Sequence, residues 1–111
     1  MIRGAVYRID LGDAKRGHEQ RGKRYGIVLS SAPDTWSTVA VVPTSTSAQP
    51  AIFRPELEIE GRSTRALADQ LKTIDTNYVI GDPVDYLTHE DLEQVEYAVA
   101  RFLDLRINSQ Y

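Results

Sequence analysis

Residues 4–11 read GAVYRIDL, with Ala5, Tyr7, Ile9 and Leu11 alternating against Val6, Arg8 and Asp10. A period of two marks a strand with one buried face, so the chain opens on β structure. Working outward, residues 25–30 (YGIVLS) form a short apolar run suited to a central strand. Residues 36–43 (WSTVAVVP) are β-branched and end at Pro43, which has no N–H for a ladder. Pro33 and Asp34 turn the chain between them. A polar loop, 44–50 (TSTSAQP), follows. Residues 52–59 then read as a strand carrying Phe53, Leu57 and Ile59, with Pro55 marking an edge or bulge and Glu60 and Gly61 a turn. Residues 64–71 read as the next strand, through Ala66, Leu67 and Ala68 to Asp69 and Gln70. Residues 72–75 and 78–84 give one more short pairing, broken by Gly81 and Pro83.

The period then changes. Leu92, Val95, Val99, Phe102 and Leu103 share one face at the 3.6-residue spacing of an amphipathic helix. Thr88 is placed as its N-cap with Asp91 three residues on, and Leu87 and Leu92 are placed as a hydrophobic staple. Glu90, Asp91 and Glu93 favour the positive end of the helix dipole. Residues 104–111 carry little core-forming pattern. The expected architecture is mainly β: five to seven strands in a strongly curved antiparallel sheet or small barrel, with one C-terminal amphipathic helix. Residues 1–105 read as a single domain and 106–111 as a frayed tail.

The 111 residues are 41% hydrophobic and 26% charged, an ordinary globular composition that excludes disorder. No apolar run approaches the roughly 20 residues a membrane helix needs. Arg3 and Arg8 interrupt the place where the apolar core of a secretory signal would lie. With no Cys, disulfides, thiolate metal sites and thiol nucleophiles are excluded, and a cytoplasmic location is expected. His18 and His89 are far apart in sequence, so a His-based zinc site would need carboxylates to complete it and has little support; no metal or other cofactor is expected.

Net charge is −3, but it is unevenly spread. Residues 12–24 carry Lys15, Arg16, Arg21, Lys23 and Arg24 against Asp13 and Glu19, a local +3 that leaves −6 for the remainder. Punctuated by Gly12, Gly17 and Gly22, this stretch reads as a basic loop suited to a phosphate-bearing ligand.

No P-loop, dinucleotide fingerprint, zincin motif or nucleophile elbow is present, which removes those reaction classes. What remains is a set of polar groups on loops: His18, Arg21, Lys23 and Arg24, then the hydroxyls of 44–47, then Asp69 and Gln70. A metal-free ribonuclease uses such components. A base takes the proton of a 2′-hydroxyl, a cation steadies the crowded phosphorane, and an acid serves the departing 5′-oxygen. Arginine suits the cation role through its planar fork, and His18 could exchange a proton near neutrality.

The stretches GHEQRGKRYGIVLS (17–30), VVPTSTS (41–47) and ADQLKTID (68–75), with the opening GAVYRIDLG, resemble the MazF/PemK family of toxin endoribonucleases over about residues 3–105. The family pattern G-x-E-Q-x-G-x-R-P falls on Gly17, Glu19, Gln20, Gly22 and Arg24, with Tyr25 where Pro is usual. Its hydroxyl signature falls on Pro43, Ser45 and Thr46, with Ser45 at a position commonly Thr. The resemblance implies an SH3-like barrel, a homodimer, metal-free cleavage of single-stranded RNA at short sequences, and silencing by a cognate antitoxin. It implies that Arg24 stabilises the phosphorane and is a candidate proton donor, while Ser45 and Thr46 orient the scissile phosphate. His18 and Asp69 match positions credited with base or proton-shuttling roles. Glu19, Gln20, Arg21, Lys23, Thr44 and Gln70 would line the site. Some members carry an Arg where this chain has Leu67, and Arg65 is the candidate replacement.

Which of Ser45, Thr44 and Thr46 supplies the hydroxyl, and whether His18 or Asp69 is the base, stay open at this level. Tyr25 and Trp36 read as core or dimer-interface packing, and His89 as surface. The antitoxin is expected to bring an acidic segment to the basic loop. Two other functions share the scaffold: a toxin that inhibits DNA gyrase by protein contact, and a degenerate, weakly active toxin. An Arg-plus-hydroxyl site has no use in the first of these, while Tyr25, Ser45 and Leu67 keep the second in view.

Overall fold

The alternation that opens the chain becomes strand β1 (Ala5–Asp10) in the computed structural model, which describes residues 1–12 and 22–106. The basic-loop residues Lys15, Arg16, His18, Glu19, Gln20 and Arg21 lie outside the described residues, as does the tail from 107 on. After β1 come β2 (Lys23–Val28), β3 (Thr38–Ser45), β4 (Glu56–Ile59), β5 (Arg62–Ala66), β6 (Lys72–Asp75) and β7 (Val79–Tyr86). Helix α1 (His89–Phe102) closes the described chain. The strands form one curled antiparallel sheet, a half-barrel in the order β4-β5-β3-β2-β1-β7, with β6 pairing β3 beside β5. Among the described residues no helix is long and apolar enough to cross a membrane.

Curling gives the sheet a core on each face. Val6, Ile27 and Val42 are register partners across β1, β2 and β3, and they cluster with Leu57, Ile59, Ala66 and Val95 of α1. Ile9, Leu11, Val28, Val39, Val41 and Ile74 form the second cluster. Strand β1 is therefore buried on both faces, because Val6 serves the helix side while Ile9 serves the other.

The helix starts where its cap requires. The Thr88 hydroxyl accepts the Asp91 N–H at 3.1 Å, satisfying one of the four donors left over at a helix start. Val95 is fully buried, a contribution of roughly 1.5–3 kcal/mol. Phe102 and Leu103, expected on the buried face, are 42% and 47% exposed. Phe102 meets Phe53 edge to face, with ring centroids 5.2 Å apart. Past the helix, Asp104 turns left-handed at φ 54, and Leu105 N–H returns to the Ala100 carbonyl at 2.8 Å in a Schellman closure.

Five other expectations change. Strand β3 runs through Pro43 to Ser45, because the proline nitrogen faces the β5 and β6 side, not β2; on that side its carbonyl accepts Leu67 N–H at 2.8 Å. Residues 64–71 are not one strand. Between the pairs Thr44 with Ala66 and Val41 with Lys72, five residues oppose two, and the surplus loops out as a 3-10 turn, Ala68–Gln70. Residues 52–55 precede β4, with a turn closed by Arg54 N–H on the Ala51 carbonyl and Ile52 exposed. Gly81 and Pro83 do not end β7; its pairing with β1 shifts register there, as at a bulge. Trp36 is 62% exposed and so is not core.

Candidate active site

Strand β2 begins and β3 ends at the same margin of the sheet, because the two are antiparallel. Gly26 faces Pro43, so carrying that register two residues on sets Tyr25 opposite Thr44 and Arg24 opposite Ser45. The Thr44 hydroxyl lies 3.5 Å from the Tyr25 carbonyl. Side chains alternate across the sheet, and this divides the margin into two sets. Arg24, Ser45 and Arg65 share one face, with Ser45 and Arg65 as register partners across β3 and β5. Arg8, Tyr25, Thr44 and the β5 residues Thr64 and Arg62 share the other, two steps beyond the apolar row of Val6, Ile27 and Val42.

A cleft of about 410 Å³ opens at this margin, lined by both sets. Four cations border it, Arg8, Lys23, Arg24 and Arg62, together with the hydroxyls of Thr44, Ser45, Thr46 and Thr64, Tyr25 and Ile59. No carboxylate residue is among these lining residues. Cations gathered along one cleft raise the local potential and favour an anion carrying several charges. Ser45 is buried and held in place: its Oγ accepts Ser47 N–H at 3.3 Å and lies 3.4 Å from the Ser47 hydroxyl.

Chemically, this margin can place a guanidinium fork and several hydroxyls around one phosphate. The sequence profile of the PemK-like, MazF-like toxins of type II toxin-antitoxin systems matches residues 2–103. The chain belongs to this toxin family.

A Mycobacterium tuberculosis protein designated a toxin is 65% identical over 105 residues, 95% of this chain and 99% of its own length. Two solved structures share the toxin's fold. One is an endoribonuclease in complex with its cognate antitoxin from a mycobacterial species, with TM-score 0.79, 21% identity, and coverage of 97% of this chain and 99% of that one. The other is MazF from Deinococcus radiodurans, with TM-score 0.78, 23% identity, and coverage of 91% and 94%.

Of the toxin's expected site residues, Arg24, Ser45, Thr46, Lys23 and Thr44 come together in the cleft. His18, Glu19, Gln20 and Arg21 lie outside the described residues. Asp69 and Gln70 sit on the 3-10 excursion and are not among the cleft's lining residues. The Asp69 carboxylate is taken by Arg54, whose Nε and Nη2 donate to it at 3.0 and 2.7 Å. That pairing holds the Arg54 guanidinium above its ordinary range, with partial burial opposing it. Arg65 also turns elsewhere, donating to the Arg54 carbonyl at 2.9 Å and reaching Glu56 at 3.5 Å.

Reading the sequence missed Arg8, Arg62 and Thr64 in the cleft, and Arg54 beside it. Only Arg8 had a signal. It sits two residues beyond Val6 in a period-two strand, on a face that the curl turns into a cleft.

Tyr25, at the family's usual proline position, packs against the helix-side core, and its hydroxyl donates to Glu60 Oε2 at 2.6 Å. Glu60 and Gly61 form the tip of the β4–β5 hairpin, with φ of 51° and 76°. Only glycine adopts that region freely. Glu60 is held there from both ends, since its N–H donates to Asp85 Oδ2 of β7 at 2.8 Å.

Proposed function

We propose that this toxin is a sequence-specific endoribonuclease that cuts single-stranded RNA without a metal. The observation that carries the reading is that Arg24 and the Ser45 hydroxyl border one cleft, together with Arg8, Lys23, Arg62 and the hydroxyls of Thr44, Thr46 and Thr64. In the reaction the 2′-oxygen bonds to phosphorus, the bond from phosphorus to the 5′-oxygen breaks, and one proton passes from the first oxygen to the second. The products are a 2′,3′-cyclic phosphate and a 5′-hydroxyl. The Arg24 fork meets the charge that builds on the phosphorane, and the hydroxyls of Ser45 and Thr46 fix the phosphate's orientation. His18 and Asp69 are the candidates for the proton-accepting role. On the same reading the toxin works as a homodimer in the cytoplasm. A cognate antitoxin silences it by laying an acidic segment over the cleft and the basic residues of 12–24.

The test is a long unstructured RNA incubated with purified toxin in EDTA, with mapping of cut sites and end groups. Cleavage should persist, leave cyclic phosphate ends, and stop when the scissile nucleotide alone is 2′-deoxy. Cutting at the deoxy position would overturn the mechanism.

A further inference from the structure

The face of the cleft that carries Arg8, Thr64 and Arg62 has no part in the chemistry assigned to Arg24 and Ser45. Arg3, Arg54 and Arg65 each reach a carboxylate, on Glu96, Asp69 and Glu56. Arg8 and Arg62 make no ion pair among the described residues, although both border the same cleft. Thr64 is only 6% exposed, and among the described residues its hydroxyl has no hydrogen-bond partner, yet it too lines the cleft. Buried hydroxyls normally find a partner, so this one is aimed at something the described residues do not supply.

We propose that Arg8, Arg62 and Thr64 form an extended phosphate subsite, which holds the backbone of the nucleotides flanking the one being cut. The inference rests on the ribonuclease reading, because the subsite is continuous with the Arg24 and Ser45 margin where that reading puts the scissile phosphate. Three inter-strand steps separate β1 from β5, about 14 Å along the curled sheet at ~4.8 Å per step, a span wider than one phosphate. A strand seated on Arg24 therefore extends toward Arg8 on one side and Arg62 on the other. The arm that carries Arg62 and Thr64 is set beforehand, since the Glu60 tip is tied to Tyr25 on β2 and to Asp85 on β7. A fixed donor loses less freedom when the ligand arrives. An acidic peptide could also meet two guanidiniums. Continuity with the Arg24 margin favours the nucleic acid.

The probe is a short unstructured RNA, 2′-O-methylated throughout so that it cannot be cut, with binding followed by fluorescence anisotropy over a salt series. Arg8→Gln and Arg62→Gln should each weaken binding several-fold and flatten the log K against log salt slope by about 0.7, the value of one single-strand phosphate contact. Thr64→Val, close in shape, should weaken binding while the melting temperature holds, which a purely structural hydroxyl would not do. Arg101→Gln, on the last turn of α1, should leave the slope alone. Arg8→Lys and Arg62→Lys should restore the slope but only part of the affinity. Wild-type binding with unchanged slopes in both Gln variants overturns the subsite and leaves the ribonuclease reading standing. Variants that lose a Glu-rich peptide but keep the RNA overturn it in favour of a protein ligand. Wild-type toxin that neither binds this probe nor cuts the unmodified RNA overturns the ribonuclease reading, and the subsite with it.

Discussion

Arg54 takes both carboxylate oxygens of Asp69, with Nε on Oδ1 at 3.0 Å and Nη2 on Oδ2 at 2.7 Å. The same guanidinium donates to the Gln49 carbonyl at 3.4 Å, so the 3-10 excursion is tied to the loop that follows β3. That loop begins with the hydroxyls of Thr46 and Ser47. Asp69 is thus engaged by its neighbour, and it could accept a proton only after the pair opened.

Each partner is about one-fifth exposed, which moderates the pair without removing it. Asp69→Asn should cost on the order of 1–2 kcal/mol of stability, read as a lower urea midpoint. Combined with Arg54→Met, the loss should be smaller than the two single losses together, since the second change removes an interaction already gone. Additive losses would show that the two side chains do not stabilise one another.

Arg24→Ala should slow single-turnover cleavage a hundredfold or more, about 3 kcal/mol of lost transition-state stabilisation, with the melting temperature unchanged. Arg24→Lys should recover little, because an ammonium cannot reproduce two parallel donors. Near-normal cleavage by the alanine variant would remove Arg24 from the site.

Gly26 lies next to Tyr25 in β2 under a side chain of the second core. A Cβ there would sit 2.7 Å from Ile9 Cδ1 and 3.3 Å from Cγ1 and Cγ2. Gly26→Ala should cost about 1–3 kcal/mol through overpacking. Adding Ile9→Val, which deletes the closest atom, should return part of that loss. Thermal melts of the single and double variants decide the matter, and a double variant less stable than Gly26→Ala alone would contradict it.

Alkaline stability should depend on Tyr7. Partial burial, then the negative charges of Tyr86, Asp82 and Asp34, push its phenol above the ordinary 10.0. The phenol thus ionises more readily in the unfolded chain than in the fold. Its contribution is intact below pH 10.0 and is lost as pH rises through the folded value. Tyr7→Phe should flatten the decline in urea midpoint above pH 10, and identical alkaline profiles would exclude the effect.

What the sequence made legible was local. The Thr88 cap is read from four consecutive residues and appears as a 3.1 Å hydrogen bond. The alternation of β1 needed no partner to be recognised. Pro43 was misread because the rule against proline in a ladder concerns the edge its nitrogen faces, and only the pairing reveals which edge that is. The excursion at 67–71 is invisible for a similar reason, since nothing within those residues says that only two stand opposite. In the site, Arg24, Ser45 and Thr46 were nominated by the resemblance of their stretches to the family's motifs, not by spacing alone. Arg62 and Thr64 escaped because they reach the cleft through the curl of the sheet, which is a property of the whole chain.

The Glu60 tip gives the cleft a property that its reacting groups do not control. Only two register pairs, Thr44 with Ala66 and Ser45 with Arg65, join the β4–β5 hairpin to β3, while its far end is secured by side chains 35 and 25 residues away in sequence. Aperture and chemistry are therefore set by different residues. Exchanging Tyr25 or Asp85 should free the hairpin tip and alter the passage beside Arg62, while the Ser45 and Arg65 pair holds the hairpin's other end. Inherited variation at those two anchoring positions could then diversify which strands are admitted without any change in the bond that is broken.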